Sequence, residues 1–340
     1  MNRSPMPRRV CFTLTALAAC VVASTAGSGI AAATPVPTGA YVDSVTPVSE
    51  QHWRVGVYSP AMDSVVPLDV LHAADSGEPR PILYALGGAG VGTIEGTGWM
   101  ESSDIAEFFS DKNVNVVVPA TGNFSYFTDW AEDDDILGRN MWETFLTEEL
   151  PPVMDAELGA NGVQSILGMS MSAGSALDLA VRSGDLYSGV ASFSGCVRTS
   201  DPLGRKYVEL VVERRGKGNT DNMWGPEGDP RWAEHDVYLH AEQLRGKALY
   251  LSSRNGLPGP HDVPGQERAA GESFRTQLVL GGAIEAATLV CTTQLAQRLD
   301  ELGIPVTADL GAAGTHSWGY WEDDLRSSWP ILAESMGVEI

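Results

Sequence analysis

The segment Gly168–Ala180, GMSMSAGSALDLA, decides how this chain is read. It joins VQSILG (163–168), a short apolar run with strand character, to SALDLAVR, whose spacing is helical. Ser170, Ser172 and Ser175 crowd the junction. A tight turn of small residues between a strand and a helix is a place where a serine hydroxyl can be presented to a ligand. Two registers are open, one centred on Ser170 (G-M-S-M-S) and one on Ser172 (S-M-S-A-G). If the strand ends at Gly168, Ser170 stands at the apex and Ser172 falls in the first helical turn, where it can cap. Local pattern thus favours Ser170 without excluding Ser172.

On either side of this junction, strand-like and helical runs alternate. Runs of strand character are WRVGVYS (53–59), VVPLDVL (65–71), PILYAL (81–86), VNVVVPA (114–120), VQSILG, YSGVASFSG (187–195), KALYLSS (247–253) and IPVTADL (304–310). Helical spacing marks 101–111, 142–158, 173–184, 286–303 and 321–337. Val-, Ile- and Leu-rich strands alternating with helices predict an α/β fold: a mostly parallel sheet with helices on both faces. A single domain over 51–340 is expected, with a loose lead-in over 34–50. The stretch 200–245, rich in Gly, Pro, Trp and charge, is expected as a lid-like insertion over one end of the sheet.

The N-terminus carries Arg3, Arg8 and Arg9, an apolar run from Val10 and a small-residue site at Ala31–Ala33, which is a signal-peptide pattern over 1–33. Cys20 after Leu17-Ala18-Ala19 offers lipid anchoring as the alternative. No later segment reads as a membrane span. The sequence holds 22 Lys+Arg against 44 Asp+Glu, a net charge of −22. Such an excess argues against nucleic acid as a partner, since counterion release needs a basic surface. Cys11 and Cys20 fall in the leader; Cys196 and Cys291 could form a disulfide in an exported chain, which spacing alone does not settle. A metal site would need more ligands at closer spacing, and no cofactor is expected.

A serine hydroxyl needs a histidine base, and the histidine needs a carboxylate to orient it. Of six histidines, His316 has the fitting context: IPVTADL is a strand, GAAGTHSW a loop, and a helix follows. Two carboxylates compete as its partner, Asp262 in the loop after KALYLSS and Glu285 at the start of a helix. The residues by themselves leave this open. With Ser170 as nucleophile, the amide of Met171 is one oxyanion donor. The glycine-rich loop Leu86–Gly90 is the place for a second, since glycine permits close backbone approach. Serine, acid and histidine in that chain order form the α/β-hydrolase pattern.

Six blocks carry a resemblance: SYFTDW (125–130), MWETFLTEELP (141–151), LGMSMSAGSALDLA (167–180), NMWGPEGDPRW (222–232), AIEAATL (283–289) and GTHSWGYW (314–321). Together they resemble the antigen 85 mycolyltransferases and their corynebacterial relatives, from about residue 53 to 335. The resemblance implies an α/β-hydrolase fold and a serine acyltransferase that moves a mycolyl group from trehalose monomycolate to a hydroxyl acceptor. It implies Ser170 as nucleophile, Glu285 rather than Asp262 as acid, and His316 as base. It further implies Met171 and Ala89 as oxyanion donors and Trp318 as a sugar-contacting aromatic. Its partners would be an acylated sugar donor and a hydroxyl acceptor, with association with the cell envelope. One departure stands out: the family's L-L-D-G-L-R is here Ala85–Gly90, so Gly87 and Gly90 replace the aspartate and arginine that contact trehalose. Hydrolysis of acylated sugars by the same triad, and cell-wall or matrix binding without turnover, are the alternative readings.

Overall fold

The computed structural model describes residues 39–267 and 273–340. The expected signal peptide over 1–33 and the alternative anchor at Cys20 lie outside the described residues. Strands β1 (Tyr41–Pro47), β2 (His52–Ser59), β3 (Ser64–Leu71), β4 (Ile82–Leu86), β5 (Asn115–Pro119), β6 (Gln164–Met169), β7 (Tyr187–Phe193), β8 (Ala248–Ser253) and β9 (Thr307–Leu310) form one sheet. The order across it is β1-β2-β3-β5-β4-β6-β7-β8-β9. From β5 to β9 every neighbouring pair is parallel, whereas β1, β2 and β3 pair antiparallel, β3 also with β5.

Strands β4, β5 and β6 are buried along their whole length, which is why they read as continuous apolar runs rather than alternating ones. Alternate residues feed two separate cores, as the two-residue strand period requires. Ile82, Tyr84, Val117, Ile166 and Val190 pack on one face. That face is covered by α1 (Leu150–Leu158), α2 (Met171–Arg182) and α3 (Gly282–Glu301), through Met154, Leu177, Leu179, Leu295 and Leu299. Leu83, Ala85, Val116, Leu167 and Ala191 point to the other face. They meet α4 (Trp318–Met336) through Trp321, Leu325, Trp329 and Leu332. The expected α/β class is therefore observed.

Three expectations need correction. Part of the lead-in expected over 34–50 is β1, an antiparallel edge strand on β2. Its outward residues Asp43, Ser44 and Thr46 give it the look of a turn, while Tyr41 sets its ring 5.3 Å from that of Tyr58. The helix expected over 101–111 is broken into Trp99–Ser102 and Ile105–Phe109. At the break the Ser103 hydroxyl donates to the Trp99 carbonyl, and the Asp104 amide donates to Glu322. Finally, Phe274–Glu301 is helical throughout and meets the length and hydropathy of a membrane span. It nevertheless packs on the sheet through Leu295 and Leu299 and carries the buried Glu285.

The 200–245 stretch folds as short helices, Pro202–Glu209, Thr220–Trp224 and Arg231–Glu234, with a π-helical turn at Leu210–Arg215. Val208, Val212, Met223, Trp224 and Trp232 form a small core with Trp130. The amides of Ala131 and Glu132 donate to Met223 and Asn222, joining it to the 124–140 loop.

Candidate active site

The loops that follow β4, β6, β8 and β9 leave the C-terminal ends of parallel strands, the rim where open α/β sheets bind ligands. At the end of β6 the chain turns sharply into α2. Ser170 occupies the turn with φ 55° and ψ −117°, a conformation a non-glycine residue holds only when its surroundings enforce it. They do so here. The Ser170 amide donates to Phe193 O at 2.8 Å, prolonging the β6–β7 ladder. A Cβ on Gly168 would stand 2.2 Å from the Ser172 carbonyl, so only glycine lets helix and strand approach this closely.

Ser172 is buried and engaged elsewhere. Its Oγ accepts from the Met169 amide at 3.0 Å and lies 3.1 Å from both the Leu86 and Met169 carbonyls. It thus laces β4 to the turn. Ser175 Oγ is likewise turned to its own helix, onto Met171 O. Of the three serines, Ser170 alone meets a histidine: its Oγ lies 2.7 Å from His316 Nε2.

His316 sits in the loop between β9 and α4, and its Nδ1 lies 2.7 Å from Glu285 Oε2. A carboxylate only accepts, so Nδ1 carries the proton and Nε2 is free to accept from Ser170. Glu285 comes from the first turn of α3 and is fully buried. Its other oxygen, Oε1, accepts from Ser194 Oγ at 2.9 Å, Ser253 Oγ at 3.0 Å and the Arg254 amide at 2.6 Å. Both oxygens of this buried carboxylate are thus satisfied, one by the histidine ring and the other by three donors.

The competing carboxylate, Asp262, does not reach the histidine ring. It accepts from Thr315 Oγ1, from Gln277 Nε2 at 2.8 Å, from the Gly259 amide at 2.8 Å and from Tyr320 OH at 2.7 Å. Burial pushes its carboxyl upward, yet these donors prevail and hold it below the ordinary carboxylate value. Through Thr315 it secures the residue next to His316.

A cavity of about 300 Å³ opens over Ser170 and His316. Gly88, Ala89 and Gly90 form one wall, Ile94, Leu280 and Ile284 give it an apolar lining, and Trp318, Trp321 and Arg215 complete it. Ala89 is held by its carbonyl, which accepts the Phe124 amide at 2.9 Å. Met171, the first residue of α2, has an amide with no carbonyl partner inside the helix. Trp318 lines the cavity, though its indole N–H already donates to Gly96 O at 3.0 Å and its ring is packed edge-on between Trp99 and Trp321.

Several participants were not found from sequence. Trp321 sets its ring edge-on to His316 at 4.9 Å and donates to Ser194 Oγ at 3.2 Å, so it braces the histidine directly and Glu285 through Ser194. Arg254 holds Glu285 with its amide while its guanidinium pairs with Asp309 at 2.9 Å and with the buried Asp324. Burial is the largest influence on Asp324 and pushes its carboxyl up to about 7, against the pull of Arg254. Such partners come from the turns just after β7 and β8, from β9 and from α4, with no spacing in the chain to announce them. The structure also joins Cys196 to Cys291, S–S 2.08 Å, fastening α3 to the turn after β7.

The family model described as "Putative esterase" matches residues 59–330. The chain belongs to the esterase family. It is 28% identical over 272 residues to a diacylglycerol acyltransferase/mycolyltransferase Ag85B of Mycobacterium avium, covering 77% of each chain. It is 27% identical over 278 residues to the Ag85A protein of Mycobacterium tuberculosis, covering 77% of this chain and 75% of that one. The crystal structure of Mycobacterium tuberculosis MPT51 (FbpC1) superposes with TM-score 0.69 at 21% identity, over 85% of this chain and all of the other. An S-formylglutathione hydrolase from Agrobacterium tumefaciens does so with TM-score 0.59 at 16% identity, over 87% of this chain and 100% of the other. The fold is that of the α/β-hydrolases, and the chain is an enzyme of acyl transfer or ester hydrolysis.

Proposed function

We propose that this chain is an exported serine acyltransferase that moves a long-chain acyl group, of the mycolyl type, from an acylated sugar such as trehalose monomycolate to a hydroxyl acceptor. The observation that carries the reading is the unbroken hydrogen-bond chain Ser170–His316–Glu285 at the floor of an apolar cavity. Ser170 Oγ attacks the ester carbonyl as His316 Nε2 takes its proton. The amides of Met171 and Ala89 hold the oxyanion, each such donor contributing about 3–4 kcal/mol to the transition state. The ester C–O bond breaks, His316 returns the proton to the departing sugar oxygen, and the acyl group stays on Ser170. A second hydroxyl then loses its proton to His316 and attacks the acyl-serine, restoring Ser170. Glu285 orients the imidazole and stabilises its cation, and Trp318 provides a flat apolar wall beside the sugar.

The kinship with Ag85 mycolyltransferases supports the acyl donor class, and the leader pattern over 1–33 supports export to the cell envelope. A second reading, hydrolysis of acylated sugars, is favoured by the ALGGAG loop. A Cβ on Gly87 would meet Val91 at 2.9 Å, and one on Gly90 would meet Ile94 at 2.9 Å. The charged side chains that the Ag85-type motif places there would therefore need Val91 and Ile94 to shift. Incubation with trehalose monomycolate decides between the two. Trehalose dimycolate as main product supports transfer, and free mycolate as main product replaces that reading with hydrolysis.

A further inference from the structure

With glycine at 87 and 90, charge recognition at this cavity has to come from another wall. Among its lining residues the only titratable side chains are His316, engaged with Ser170 and Glu285, and Arg215. Arg215 is exposed, and among the described residues no hydrogen bond or ion pair engages its guanidinium. This is notable in a chain with twice as many acidic as basic residues. The neighbouring Glu213 takes the Thr220 hydroxyl instead, at 2.5 Å.

The position of Arg215 is built rather than incidental. It ends the π-helical turn Leu210–Arg215, an irregularity that recurs where helices serve a site. The next residue, Gly216, packs flat on Phe124: a Cβ there would lie 2.7 Å from Phe124 Cβ and 2.7 Å from the Val212 carbonyl. Phe124 is itself in the left-handed region at φ 56°, and its amide is the donor that holds Ala89. One buttress therefore fixes both the Ala89 loop and the backbone that carries Arg215.

Resting on the acyl-transfer reading of Ser170, we propose that Arg215 is a specificity-determining residue. It recognises a carboxylate or phosphate carried by the alcohol portion of the substrate. A guanidinium offers paired donors that match either anion, and unlike an ammonium it keeps this fork geometry with little loss of freedom. Placed at the mouth of an otherwise uncharged cavity, it favours an anionic alcohol over a neutral one of the same shape.

The test compares two esters of equal size, 4-(butyryloxy)benzoate and 4-(butyryloxy)benzamide, by kcat/KM in the wild type and in Arg215→Ala. Dividing the wild-type ratio by the variant ratio cancels the intrinsic reactivity of the two esters. A quotient of about ten or more in favour of the carboxylate is expected, with Arg215→Lys intermediate and Arg215→Glu below the alanine variant. A quotient within twofold of one overturns the proposal. A second measurement does not depend on turnover: binding of 4-butoxybenzoate and of 4-butoxybenzamide to the Ser170→Ala protein, followed by tryptophan fluorescence. Tighter binding of the carboxylate that is lost on adding Arg215→Ala supports the anion site even if neither ester is cleaved, a result that would overturn the acyl-transfer reading alone. Equal binding of both compounds, with the esters cleaved, overturns the anion site alone.

Discussion

Ser172 and Ser170 stand two residues apart with opposite duties. Ser172 Oγ answers the buried Met169 amide and bonds towards two carbonyls, so Ser172→Ala strands a buried donor and is expected to lower stability by about 1–3 kcal/mol. Denaturant titration checks this; an unchanged midpoint would remove its role as a staple. Glu285 and Asp262 form a similar contrast. Glu285→Gln is expected to cut kcat roughly 10⁴-fold, because the amide can no longer fix the proton on His316 Nδ1. Asp262→Asn should cost far less activity and show itself in stability instead. The folded carboxyl of Asp262 lies below its ordinary value, so its contribution is present above the unfolded pKa near 3.9 and is lost as pH falls through the folded one. Wild-type stability should therefore fall more steeply on acidification than that of Asp262→Asn, and parallel curves would contradict this. From sequence, the order serine, carboxylate, histidine was legible, and so was the context of His316. The choice between two carboxylates was not legible from the residues themselves, since it turns on which of them reaches the imidazole and which one ties down Thr315.

Glu285, the carboxylate that meets His316, sits on an element rather than a loop, and that element is clamped. Helix α3 is joined to the turn after β7 by Cys196–Cys291, six residues beyond Glu285, and by the Thr292 hydroxyl on Gly195 O at 3.1 Å. Ser194 in that turn donates to Glu285 itself. Reduction of the disulfide frees a loop with a sequence separation of 95, for which chain entropy gives about 4–5 kcal/mol as an upper figure. Replacing both cysteines by serine is expected to lower Tm by several degrees and to weaken activity through α3. A variant with unaltered Tm and kcat would show the clamp to be idle. Elements with strong periodicity, such as α2 and α4, were legible within a few residues. The edge strand β1 was not, because its outer face is polar and its order depends on β2 beside it.

Across the whole molecule, two faces of one sheet are closed by α1–α3 and by α4, and the loops at the C-terminal ends of the strands share the site. Alternation of apolar strands and helices made this architecture legible. The path of the 200–245 stretch was not, since its small aromatic core is completed by Trp130 from a distant loop. The acidic excess of the sequence, net −22, also acts at this scale: like charges oppose the compact state until salt screens them. Raising NaCl from about 10 to about 150 mM, where the screening length shortens to ~8 Å, should raise Tm. A decrease would mean that favourable ion pairs outweigh the repulsion.

We propose Ser170 as the nucleophile, activated by His316 and Glu285. Labelling the folded protein with a fluorophosphonate and mapping the modified peptide tests it most directly. A single adduct on Ser170, abolished by Ser170→Ala and strongly slowed by Glu285→Gln, is the predicted result. An adduct on Ser172, or labelling that survives Ser170→Ala, would contradict it.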